Sequence, residues 1–120
     1  MEDETSGSEQ RTIRLLLVED HAAFREALAF LLGREPDIEV VAQAGSLAEA
    51  REALDGALDV AVVDLGLPDG DGGELIGELR RTNPGAAVIV LSATMKPGRL
   101  DGVRKAGADA VLAKVESPRS

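Results

Sequence analysis

The chain has 120 residues and a net charge of -9, from 13 basic and 22 acidic side chains; 44% of its residues are apolar, Phe24 and Phe30 are its only aromatics, and it has no cysteine. This length suits one domain with a single core, and an acidic surface repels phosphate backbones and anionic membranes, so this chain alone is not expected to bind nucleic acid or membrane. The missing thiols exclude a disulfide scaffold, thiol catalysis and thiolate zinc and fit a cytoplasmic protein, while so few aromatics provide no stacking platform for bases.

Residues 1–11, MEDETSGSEQR, are polar and acidic, unlike a signal peptide, and read as a disordered tail. IRLLLV (13–18) is continuously apolar and predicts a strand buried on both faces. A helix follows in which Phe24, Ala27, Leu28 and Leu31 form one inward stripe, with Gly33 and Pro36 as stop signals. IEVVAQA (38–44) is a second strand, and Ser46 with Glu49 is a capping-box pattern opening a helix that turns Leu47, Ala50 and Leu54 inward. VAVV (60–63) is a third strand, leading into the turn-rich GLPDGDGG. Asp71 and Glu74 repeat the cap spacing ahead of Leu75, Ile76 and Leu79, and Asn83-Pro84 ends that helix. AVIVLS (87–92) is a fourth strand. PGRLDGVRKAG (97–107) is a helix weakened by Gly98 and Gly102, each costing roughly 1 kcal/mol relative to Ala. ADAVLA (108–113) is a fifth strand, followed by Lys114 and a short polar end.

Strands alternating with helices predict a doubly wound α/β sheet. After the fifth strand only VESPRS remains, too short for a fifth helix, which predicts an uncovered apolar patch beside the first helix. Three expectations follow for that end: the chain is a fragment of a longer protein, it forms a homodimer through that face, or a rearranged terminus covers it. The domain is expected over residues 12–116, with 117–120 as the stub of a linker or truncated helix.

Sites in open α/β sheets form beyond the carboxyl ends of the strands. The first polar residues there are Glu19 and Asp20, then Asp64, Ser92 and Lys114. Ionised carboxylates roughly 5–6 Å apart repel by about 3 kcal/mol per pair at an effective dielectric near 20, so the set calls for a cation or a retained proton. Oxygen donors without His or Cys favour Mg²⁺ or Mn²⁺. A lysine and a hydroxyl facing the acids complete a set suited to phosphoryl transfer to or from an acid. His21, the only histidine, reads as a plain first-turn residue, and GLPDGDGG matches neither the Rossmann nor the P-loop glycine spacing.

LLLVEDH, VVDLGLPDGDG, VIVLSA and AGADAVLAK resemble, in order and spacing, the motifs of the receiver domain of two-component response regulators, over residues 12–114. DHAAFREALAFLLGREPDIEVVAQAGSLAEA further resembles receivers of the NarL/LuxR type, which precede a helix-turn-helix output domain. The resemblance implies a five-stranded parallel sheet of order 2-1-3-4-5, as in CheY-like domains, with the fifth helix missing or truncated here. It implies that Asp64 is the phosphoacceptor for a sensor histidine kinase and that Mg²⁺ is held by Asp20, Asp64 and the Gly66 carbonyl, with Glu19 acting through water. Ser92 and Lys114 would bind phosphoryl oxygens beside the small Ala93, and Gly66 and Thr94 lie where the family tunes phosphorylation lifetime. Such a domain is a switch and not a turnover enzyme.

Two positions depart from the family pattern. Val111 stands where receivers usually carry Tyr or Phe, so the usual link from the site to the outer face is weaker or different here. Lys114 is followed by Val115, not the frequent Pro, so a trans bond is admissible there. Other readings are a pseudo-receiver or interaction module that takes no phosphate, and a Mg²⁺-dependent aspartyl-phosphate phosphatase. The phosphatase usually needs a second acid at the position of Gly66. A flavodoxin-like binder would need a phosphate loop where EDH stands.

Overall fold

Continuous apolar runs pair as parallel strands with helices on both faces, because such strands have no polar face to turn to water. The computed structural model describes residues 11–93 and 96–114. The elements are β1 (Ile13–Val18), α1 (Ala22–Gly33), β2 (Ile38–Ala44), α2 (Leu47–Ala53), β3 (Val60–Asp64), a miniature hairpin of β4 (Gly66–Leu67) and β5 (Gly70–Asp71), α3 (Glu74–Thr82), β6 (Ala87–Ser92), α4 (Pro97–Ala106) and β7 (Ala110–Ala113). The five main strands lie in the order β2-β1-β3-β6-β7, all parallel. With the hairpin set aside this is the expected order 2-1-3-4-5. Residues 1–10 of the expected N-terminal tail, the stub at 117–120, Thr94 and the bond between Lys114 and Val115 fall outside the described residues, while Arg11, the last residue of that tail, pairs with Asp59 at 3.2 Å.

Side chains alternate across the sheet, so each strand feeds two cores. Leu16, Val18, Ala61, Val63, Val88 and Val90 pack with Leu47 and Ala50 of α2, Leu75, Ile76 and Leu79 of α3, and Val103 of α4. On the opposite face, among the described residues, Leu15, Leu17, Val62 and Leu91 meet one helix, α1, through Phe24, Leu28, Ala29 and Leu32. The inward face of α1 therefore differs from the expected stripe: Ala27 and Leu31 are exposed, Leu31 by 57%, and no residue of α1 is buried. The residues of α1 that do meet the sheet are Phe24, Leu28, Ala29 and Leu32, a stripe rotated from the expected one because the helix lies chiefly against β2. The uncovered apolar surface expected beside α1 is seen at Leu112 of β7, 52% exposed, while the central Val62 and Leu91 are buried.

Local signals explain most helix boundaries. Ser46 Oγ accepts from Glu49 N at 3.1 Å, and Glu49 Oε1 accepts from Gly45 N at 2.6 Å, one residue earlier than a standard capping box. Leu54 lies just past the helix as its C-cap. The second expected cap is not formed: Asp71 Oδ1 accepts from Gly73 N at 2.8 Å, two residues on, while Glu74 reaches Arg51. An Asx-type turn thus replaces the capping box, because β5 holds Asp71 outside the helix. Arg80 ties the ends of α3 and α4 together, donating to the carbonyls of Ala86 and Gly107 and pairing with Asp109. Among the described residues no helix is long and apolar enough to cross a membrane.

Two predictions follow. Ideal Cβ atoms at Gly98 and Gly102 would meet nothing within 4 Å, so packing does not require either glycine. Gly102→Ala is expected to stabilise the domain by about 0.5–1 kcal/mol in urea denaturation, through helix propensity and a less entropic unfolded chain. The second concerns acid. Asp69 is held below its ordinary value of 3.8 first by the Leu47 N–H and then by that of Ala48, and Asp109 first by the Val88 N–H and then by Arg80. A depressed carboxyl contributes stability that is present above the unfolded value and lost as pH falls through the folded one. The wild type should therefore lose more thermal stability between about pH 5 and pH 3 than an Asp69→Asn/Asp109→Asn double variant, which starts lower at neutral pH.

Candidate functional site

The carboxyl ends of β1, β3, β6 and β7 converge on one cleft of about 840 Å³, lined among the described residues by Asp20, Asp64, Gly66, Asp71, Ser92, Ala93, Arg99 and Lys114 together with apolar and glycine residues of the hairpin. Each functional side chain arrives by strand register. Asp64 is the last residue of β3 and stands opposite Leu91 of β6; Ser92, buried, ends β6 opposite Ala113 of β7. The Lys114 N–H bonds the Ser92 carbonyl at 2.8 Å, which carries the lysine one step past the sheet and over the cleft.

Lys114 Nζ lies 2.8 Å from Asp64 Oδ2 and 2.9 Å from Glu19, with only 14% of its side chain exposed. It also sits 5.3 Å from the centre of the Phe24 ring, which walls it off on the α1 side. Burial alone would lower the Lys114 pKa, but the bonds to Asp64 and Glu19 outweigh it and leave the ammonium above its ordinary value. Glu19 is fully buried, and burial pushes its carboxyl up against the opposing pull of Lys114 and the His21 N–H; nearby Asp64 adds to the rise.

Three carboxylates, from Glu19, Asp20 and Asp64, place ligand oxygens within 4.8 Å of one another. Glu19 Oε2 accepts from Lys114 and from the His21 N–H, and Oε1 lies 2.9 Å from the same ammonium, so both oxygens face Nζ. Asp64 Oδ1 accepts from Gly66 N at 3.1 Å. Three acids around one lysine, offering only oxygen donors, fit a hard divalent cation. Asp20 is exposed, lines the cleft and does not cap α1, whose N-cap is His21 without any side-chain cap bond. His21 stands just ahead of the first turn expected to hold it and donates its N–H to Glu19 Oε2 at 2.9 Å.

The strand-end residues Glu19, Asp20, Asp64, Ser92 and Lys114 are all brought together, with Gly66 on the same wall. Several neighbours left no local signal in the sequence. Arg25 Nη1 donates to the Glu19 carbonyl at 2.8 Å, steadying the acidic turn from α1. Asp69 accepts from the Leu47 and Ala48 N–H groups at 2.7 and 3.0 Å, fastening the hairpin to the start of α2. Arg99 pairs with Asp71 across the cleft wall.

The profile of the response regulator receiver domain matches residues 15–120. The DNA-binding transcriptional activator DevR/DosR of Mycobacterium tuberculosis is 39% identical over 85% of this chain and 48% of its own length. A LuxR-family two-component response regulator from Aurantimonas superposes with a TM-score of 0.77 at 29% identity, over 91% of this chain and 79% of that one. A response regulator protein from Burkholderia pseudomallei, solved with a phosphorylated aspartic acid, calcium ion and citrate, gives 0.74 at 29% identity over 89% and 62%. The chain spans about half the length of the curated relatives it matches.

The tightest steric constraint on the site is at Gly72, where a Cβ would lie 2.1 Å from the Asp64 carbonyl oxygen. Backbone cannot yield there without displacing the end of β3. Gly72→Ala is expected to destabilise the domain by about 2 kcal/mol or more in chemical denaturation, through backbone strain.

Proposed function

Given that the chain belongs to the response regulator receiver family, we propose that it is the phosphoacceptor switch of a NarL/LuxR-type regulator, taking a phosphoryl group from a sensor histidine kinase onto Asp64. The observation that carries this reading is the Lys114 ammonium in contact with both Glu19 and Asp64 at the mouth of a cleft. An Asp64 oxygen attacks the phosphorus of the donor in line, the new bond making an acyl phosphate as the bond from phosphorus to the donor nitrogen breaks. Mg²⁺ supplies neutralisation of the phosphoryl charge when bound. Asp20, Asp64, the Gly66 carbonyl and Glu19, the last acting through water, are the residues assigned to hold it, with Mn²⁺ as a substitute.

This chain's own groups do the rest. The end of β3 fixes the nucleophile, Lys114 turns from the free carboxylate to a phosphoryl oxygen, and the Ser92 hydroxyl bonds another. Ala93 leaves room for the donor. The Burkholderia pseudomallei relative was solved with a phosphorylated aspartic acid, which supports phosphorylation of an aspartate as the chemistry. The reading makes the chain a cytoplasmic switch without turnover activity, whose output is a C-terminal helix-turn-helix domain in the full-length protein; the transcriptional activator among its relatives supports that output.

The test is intact-mass analysis after incubation with acetyl phosphate and Mg²⁺. One alkali-labile phosphoryl increment is expected, absent from Asp64→Asn and absent when the metal is chelated. Lys114→Gln should slow labelling by about 100-fold or more, as removal of a charge stabilised in the transition state does. An unlabelled wild type would return the chain to the pseudo-receiver reading.

A further inference from the structure

Among the described residues lining the cleft, two are cations. Lys114 is committed to Asp64 and Glu19. Arg99 enters from another element, the first turn of α4, and its Nη2 lies 2.5 Å from Asp71 Oδ1. That oxygen also accepts from the Gly73 N–H, so Asp71 is fixed by the turn into α3 while Arg99 is the long, movable partner. The pair is partly open to solvent, with 35% of the Arg99 side chain and 47% of the Asp71 side chain exposed. A water-exposed ion pair of this kind is weakly held. A phosphoryl group offers the same guanidinium three oxygens and a higher charge, in the geometry that a planar fork binds best.

We propose that Arg99 is a second phosphoryl-binding residue, parked on Asp71 and transferred to a phosphoryl oxygen when one occupies the cleft. The idea rests on Asp64 as the acceptor and deepens that reading. Moving Arg99 frees Asp71 and draws the first turn of α4 toward Asp64, and so connects the site to an outer helix. Such a connection matters in a chain with Val111 at the position of the usual aromatic. Val111 is half-buried and packs into the α2–α4 core, so it is in no position to perform an inward swing from the surface.

The two ends of one ion pair provide the test, because a merely structural bridge is lost equally from either side. Labelling rates for the wild type, Arg99→Gln and Asp71→Asn are measured against acetyl phosphate concentration at fixed Mg²⁺, with thermal unfolding as a check that each is folded. Arg99→Gln should raise the half-saturating concentration by roughly fivefold, and Asp71→Asn, which releases the arginine, should lower it. Arg99→Lys should recover only part of the loss. Shifts of the same sign in both variants, or none, overturn the proposal. A second readout separates it from the reading it rests on: orthophosphate with Mg²⁺ is titrated while the Arg99 Nε–H resonance is followed. A saturating shift that tightens in Asp71→Asn supports the arginine site even if Asp64 takes no label, and an unmoved resonance overturns it even if Asp64 does.

Discussion

One ammonium group holds the cleft together. Lys114 Nζ touches carboxylates delivered by the ends of two different strands, and without it Glu19 and Asp64 would face each other unscreened. Carboxylates about 4–5 Å apart repel by roughly 3–4 kcal/mol at an effective dielectric near 20, and Glu19 has no solvent to spread its charge into. The lysine offsets that repulsion for one pair only. With Asp20 added, three acids and one lysine leave the cluster net negative. Burial pulls the Glu19 carboxyl upward and nearby Asp64 adds to that rise, while the single lysine opposes it. A cluster of this composition fits a divalent ion.

The helices are distributed unevenly around this edge. Among the described residues, α2, α3 and α4 cover one face of the sheet and α1 alone lies on the other. The site lies at the end of the sheet between them, with Phe24 and Arg25 of α1 supporting it from the thin side. Leu112 and the outer residues of α1, Phe30 and Leu31, remain exposed on that side. This exposed apolar surface lies on the same side of the sheet as the helix that supports Lys114.

Much of this was legible in the sequence because parallel strands leave a simple record. A continuous apolar run must stop where the strand leaves the sheet, and the first polar residue there is already at the functional edge. Glu19, Asp64, Ser92 and Lys114 could be found in this way. Ser46 could too, since a cap is a local hydrogen bond. The reading failed where position depends on contacts distant in the chain. Ala27 and Leu31 fit a helical stripe as well as Leu32 does, and only the placement of α1 on the sheet decides among them. Asp71 had the spacing of a cap, but β5 holds it outside the helix and Arg99, 28 residues on, takes its carboxylate. Asp69 and Arg80 act through backbone groups of other segments, which no spacing rule can foresee.

The same long-range contacts decide what is able to move. The hairpin is pinned at several points: Asp69 bonds two N–H groups of α2, Leu67 is buried, and Gly72 lies against the Asp64 carbonyl with no room for a methyl group. α4 is held differently. Val103 is its only buried residue, its first turn carries no side-chain cap, and Gly98 and Gly102 weaken it from within. Local opening costs least in elements with few buried contacts, and by that measure α4 is a more compliant lining of the cleft than the pinned hairpin.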